Sequence, residues 1–183
     1  MHSYIKISTL NDFIFCPKSI YFHQLYEKFD THNYHDLPQQ KWKIAHQTVD
    51  TKKYSTSKKI LQWLEVYSQK YQIAWKIDIY DLETKTLIER KRLIKKIYIW
   101  YKYQLRAQYF CMIEMWYEIK KLKFYSMKDN KSYYIPIPDE NITQQFEKLL
   151  EEYRNFDPSK RKPTNPEKCK KCIYNRLCDV SLA

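Results

Sequence analysis

Three consecutive runs in the middle of the chain, LQWLEVYSQKY, QIAWKIDIYDL and TLIERKRLI, are rich in apolar and β-branched residues broken by polar ones. That pattern predicts an antiparallel pair of strands, with a third strand reached through a turn at 82–85. The stretch that follows, KKIYIWYKYQLRAQYFCMIEMWYEIKK, is apolar on more than one side, which predicts a buried helix over 97–118. A hairpin is expected around Asp129-Asn130, then a helix over 139–155 with Asp139 as its cap and Pro138 before it. Near the start, residues 8–26 read as helical, with Ser8 or Thr9 as N-cap and Asp12 in capping-box position relative to Thr9. Cys16-Pro17 should mark a kink or a junction within it. Residues 30–40 read as a loop, and QKWKIAHQTVDTKK as a short helix carrying His46. The whole predicts one mixed α/β domain over 1–183, in which the Pro-rich tail at 157–183 forms a small module with the Cys16 region.

Composition sharpens this picture. At 183 residues and 44% hydrophobic, the chain can bury a core of ordinary size. Its formal net charge of +12 favours a polyanionic partner, and nucleic acid is the commonest one. Eighteen Tyr and five Trp add ring faces suited to stacking on unpaired bases. The sequence contains no Gly, so turns that need positive φ must use Asn, Asp or strained residues. No stretch reaches the roughly 18 consecutive apolar residues of a membrane span. The opening MHSYIKISTLNDFIFCPKSI lacks a basic start followed by an uninterrupted apolar run, so a cytoplasmic protein is expected.

The charged residues of KIDIYDLETKTLIERKR carry the first candidate chemistry. On a strand, Glu89 and Lys91 project to the same face while Arg90 points away. Asp78, on the preceding strand, can sit beside Glu89 if the two strands pair in register. Two carboxylates and a backbone carbonyl are hard oxygen ligands that suit Mg²⁺ or Mn²⁺. A cation there would polarise a phosphate and acidify a bound water, and Lys91 would orient the water or balance developing charge. Glu-x-Lys is also common on solvated strands. Two neighbours favour the metal site: His46, a further candidate ligand, and Gln104, placed to meet DNA or the scissile phosphate.

Cysteine usage supplies the second. Cys169, Cys172 and Cys178 form a C-x2-C-x5-C pattern, and Cys16 stands alone near the start. Three thiols within ten residues are hard to explain as core packing, and a distant fourth would clip the tail to the N-terminal helix. Four thiolates suit either an iron–sulfur cluster or structural zinc. Cys111, inside the apolar helix, reads as a core residue.

Taken in order, His46, Asp78, Glu89-x-Lys91 and Gln104, bracketed by one early and three late cysteines, resemble the CRISPR-associated RecB-like nucleases. These are the "Cas-four" proteins of the PD-(D/E)XK superfamily. The likeness runs from STLNDFIFCPKSIYF to PTNPEKCKKCIYNRLCD. It implies a restriction-endonuclease-like core with a four-iron four-sulfur (4Fe-4S) cluster on Cys16, Cys169, Cys172 and Cys178. It also implies a Mn²⁺- or Mg²⁺-dependent DNA nuclease with His46, Asp78 and Glu89 as metal ligands and Lys91 and Gln104 completing the catalytic set. Family members degrade single-stranded DNA ends and, working with the Cas-one/Cas-two integrase, trim prespacer overhangs beside the motif that marks a proper target, which helps select spacers. The chain departs from the family in having Lys43 and Trp75 where Gly is usual, and Gln104-x3-Gln108 where the motif is Q-x3-Y. Competing readings are a RecB-type repair nuclease, a non-catalytic DNA-binding adaptor, and a zinc-binding basic domain.

Overall fold

The computed structural model describes residues 4–26, 55–160 and 165–182. The expected loop at 30–40 and the expected helix carrying His46 lie outside the described residues, as does Lys43.

The elements are β1 (Ile5–Lys6), α1 (Ile7–Phe15), α2 (Lys18–Tyr26), β2 (Ile60–Gln62), β3 (Glu65–Ser68), β4 (Ile73–Lys76), β5 (Ile79–Asp81), β6 (Thr86–Lys91), α3 (Ile99–Glu114), β7 (Lys121–Ser126), β8 (Lys131–Ile135), α4 (Glu140–Arg154) and α5 (Pro166–Lys170). A 3₁₀ turn at Asn175–Leu177 closes the described chain. The fold is mixed α/β, with a three-stranded sheet in the order β1-β4-β3 and a five-stranded sheet in the order β2-β5-β6-β7-β8. In the larger sheet β6 and β7 run parallel across the α3 crossover, while its other pairs are antiparallel.

The expected antiparallel pair is one ribbon shared between both sheets. β3 pairs with β4 (Val66 opposite Trp75) and β2 with β5 (Leu61 opposite Tyr80), so the same register runs through both segments. Between them the ribbon bends at Trp63, whose φ is 53°, and bonds from Trp63 N–H to Asp78 O and from Ile77 N–H to Leu64 O bridge the bend. A left-handed φ on a residue with a Cβ costs about 1–2 kcal/mol. This chain meets that cost repeatedly, at Trp63, Gln72, Lys85, Trp116 and Asn130. Asn130 is the expected hairpin turn. Trp116 is the C-terminal stop of α3: its N–H donates to Ile113 O and that of Tyr117 to Met112 O. This is a Schellman arrangement with Trp in the place usually taken by Gly, and it ends the helix at Glu114, short of the expected 118.

Cys16-Pro17 is a junction between two helices, α1 and α2. The N-terminal cap differs from expectation. Lys6 holds the cap position of α1 without a side-chain bond, because Thr9 Oγ1 turns back to Lys6 O at 2.8 Å and also meets the Tyr153 hydroxyl. Asp139 caps α4 as expected, accepting from Ile142 N–H at 2.8 Å. α3 packs against α1 and against β3, β4 and β6, so the larger sheet, the ribbon and α1 share one core. Ile7, Leu10, Ile73, Leu87, Leu105, Met112, Leu122, Phe124 and Phe146 are fully buried there, and Cys111 is among them as a core residue. No helix among the described residues is long and apolar enough to cross a membrane.

Candidate active site and cysteine cavity

The β5–β6 register fixes the first site. Ile79 faces Ile88 and Asp81 faces Thr86; continued by one step, this register sets Asp78 opposite Glu89. Directly opposed residues share a face, so the bend that leads into β5 sets the Asp78 carboxyl group near enough to Glu89 for their charges to interact. Both are buried, as is Lys91. Arg90, on the opposite face of the strand, is also buried: the strand is covered on both sides. The Arg90 N–H donates to Asp78 Oδ2 at 2.7 Å, which fixes the Asp78 side chain against the next strand.

Glu89 is the hub. Its Oε1 accepts from Lys91 Nζ at 2.8 Å and from Gln104 Nε2 at 2.7 Å, and its Oε2 accepts from Gln108 Nε2 at 2.8 Å. Gln104 Oε1 in turn accepts from Lys91 Nζ at 3.0 Å and from Asn11 Nδ2 at 2.7 Å. The bend before β5 and strand β6 therefore supply the charges, and α3 and α1 supply amides that aim them. Gln104 and Gln108 are one helical turn apart and share a face of α3. Gln108, which departs from the family motif, is wholly buried and fills a place in the network. Sequence reading assigned no role to Gln108 or Asn11; the Gln-x3-Gln spacing was the available signal.

Charge is out of balance here. Burial, reinforced by the Glu89 charge, pushes the Asp78 carboxyl well above the usual carboxylate range, more than the Arg90 N–H and the Lys91 cation pull it back. Burial works against the Lys91 ammonium, yet the carboxylate of Glu89 and its hydrogen bond leave the Lys91 pKa raised. Two acidic groups thus share one firmly protonated lysine.

The arrangement suits a hard cation. A carboxylate has about four lone-pair positions; three on Glu89 are taken by the bonds above, leaving one on Oε2. A divalent ion would also relieve the repulsion that raises Asp78. Among the described residues no group of three His, Cys, Asp or Glu side chains is placed to hold a metal ion. The described part of the site supplies two carboxylates, and His46 lies outside it.

The second site lies where the two ends of the described chain meet. Cys16, Cys169, Cys172 and Cys178 line one cavity of about 230 Å³, together with Phe15, Pro17, Phe156 and Val180. All are free thiols. Burial and then the nearby thiols Cys16, Cys178 and Cys169 push the Cys172 thiol up. Lys168 Nζ donates to Phe15 O at 2.8 Å, closing the C-terminus of α1 over the cavity. Phe22 stacks on Tyr174 at 5.6 Å, and Lys18 donates to Pro158 O at 3.0 Å.

The fold resembles that of SSO0001. Its crystal structure superposes with a TM-score of 0.64 at 17% identity, covering 100% of this chain and 89% of that one. At that identity the likeness concerns the fold alone. No family model matches the chain, and no curated protein is similar to it.

Proposed function

We propose that the chain is a Mn²⁺- or Mg²⁺-dependent deoxyribonuclease of the RecB-like, PD-(D/E)XK type, with a restriction-endonuclease-like core. The observation that carries this reading is Asp78 buried beside Glu89 and held by the Arg90 N–H, with Lys91 bonded to Glu89 and to Gln104 in a buried group. An ordinary charged hairpin would leave these side chains in water, where they cost nothing. Burying them is expensive unless they are paired, and buried groups with perturbed pKa values cluster at functional sites.

Asp78 and Glu89, joined by His46, would hold the cation, which supplies Lewis acidity to a phosphate and lowers the pKa of a bound water. Lys91 keeps its proton and places positive charge where a scissile phosphate gains negative charge. Gln104 orients Lys91 and Glu89 together, and Gln108 and Asn11 brace them from α3 and α1. The reaction is hydrolysis: water adds to phosphorus and the ester oxygen leaves with a proton.

A 4Fe-4S cluster on Cys16, Cys169, Cys172 and Cys178 would tie the tail to α1, a structural role away from the carboxylates. The resemblance in the sequence extends the proposal to CRISPR adaptation. There the substrates are single-stranded ends and prespacer overhangs, and the partner is the Cas-one/Cas-two integrase. The +12 charge supports a DNA partner.

The test is cleavage of end-labelled single-stranded DNA in Mn²⁺ by anaerobically purified protein, beside Glu89→Ala. Wild-type cleavage reduced at least about 10²-fold in the variant, with DNA binding kept, is the expected result, since truncating one transition-state group costs about 10²–10³. Equal cleavage by both would remove the assignment.

A further inference from the structure

A groove beside Lys91 joins the buried site to the surface. It holds about 310 Å³, and its lining includes Lys91, Arg92, Lys95, Lys96, Tyr98 and Tyr101, with no carboxylate. Arg92, Lys95 and Lys96 are exposed and form no ion pair among the described residues. The rings form a chain inward. Trp100 stacks on Tyr98 at 4.3 Å and 8°, Tyr98 meets Tyr101 edge-on at 5.6 Å, and Lys91 Nζ lies 4.9 Å from the centre of the Tyr101 ring. Tyr98 is stacked on Trp100 yet remains 38% exposed, so part of its ring stays accessible to a flat ligand.

We propose that this groove binds one unpaired nucleotide of a single-stranded DNA substrate next to the phosphate that is cut. The base stacks on Tyr98, the flanking phosphates meet Lys95 and Lys96, and Tyr101 leads the strand to Lys91. The inference rests on the nuclease reading and deepens it by naming the residues that select a single strand. An exposed ring offers a stacking surface worth having only to a base that is not already stacked in a duplex. The surrounding cations attract any polyanion, but an acidic peptide gains nothing from the rings.

The experiment measures binding apart from cleavage, in Glu89→Ala protein, with a fluorescent oligo-dT and a closed-end duplex. Adding Tyr98→Ala should weaken oligo-dT binding about tenfold or more, change duplex binding by less than about twofold, and be rescued by Tyr98→Phe. Separately, replacing Lys95 and Lys96 by Ala should flatten the slope of log K against log salt by about 1.4, two single-strand phosphates' worth. That arm stands even if Tyr98→Ala fails to fold. The proposal is overturned if Tyr98→Ala binds oligo-dT as its parent does, if both DNAs weaken equally, or if the salt slope does not move. Should the parent bind no DNA, the nuclease reading falls too; should Glu89-dependent cleavage persist while Tyr98 and both lysines prove indifferent, only the groove falls.

Discussion

The carboxylate site and the cysteine cavity are assembled in opposite ways. The carboxylate site draws its charges from β6 and the bend before β5 and its amides from one turn of α3, with Asn11 added from α1. Every group in it is bonded to another at 2.7–3.0 Å. Its bonds are made by the fold itself. The cysteine cavity joins residue 16 to residues 169–178, at the two ends of the chain. Its walls are held by a few long-range contacts, such as Lys168 to Phe15 O and Phe22 on Tyr174. The first site is a product of the fold, and the second would gain its cohesion from the proposed cluster.

The largest effect that follows is on the cavity. Cys172→Ser should bleach the brown absorbance of the cluster and lower solubility and Tm, because loading the cavity is coupled to closing the tail on α1. An equally coloured, equally stable variant would break the comparison. A smaller effect, with a definite sign, is expected at Asp78. Its folded pKa lies above its unfolded value, so the folded state binds the extra proton and stability falls as pH rises from the ordinary Asp value through the raised one. Above that window the full cost is present. Asp78→Asn should therefore raise Tm at neutral pH without metal, by at least about 2 °C, and should remove that pH dependence. A lowered Tm would show that the site is not poised against its own charge. A third effect is at the brace: Gln108→Leu removes a bond to a charged oxygen, worth about 1.5–3 kcal/mol, and should slow cleavage about tenfold while leaving the visible spectrum unchanged.

How much of this was legible before folding differs between the regions as well. The Asp78–Glu89 pairing, the Asn130 turn, the Cys16-Pro17 junction and the Asp139 cap are local, and each rests on a residue with a strong intrinsic preference or a two-residue period. What escaped reading is set by tertiary partners. Thr9 gives up its capping role because Tyr153, 144 positions away, meets its hydroxyl. The ribbon's division between two sheets depends on a left-handed Trp63, which no Gly announces. α3 stops early at Trp116 for the same reason. Gln108 and Asn11 read as ordinary polar helix residues until packing buries them against Glu89 and Gln104. The cysteine pattern was visible as spacing, but its convergence on one cavity needed the fold.

The central claim is that the buried pair Asp78 and Glu89 holds a divalent cation. Calorimetric titration of Mn²⁺ into the wild-type protein and into Asp78→Asn, at neutral pH and with the cluster spectrum matched, tests it most directly. One saturable site in the wild type, weakened at least about tenfold in the variant, is the predicted result. Equal titration of both proteins, or none in the wild type, would contradict it.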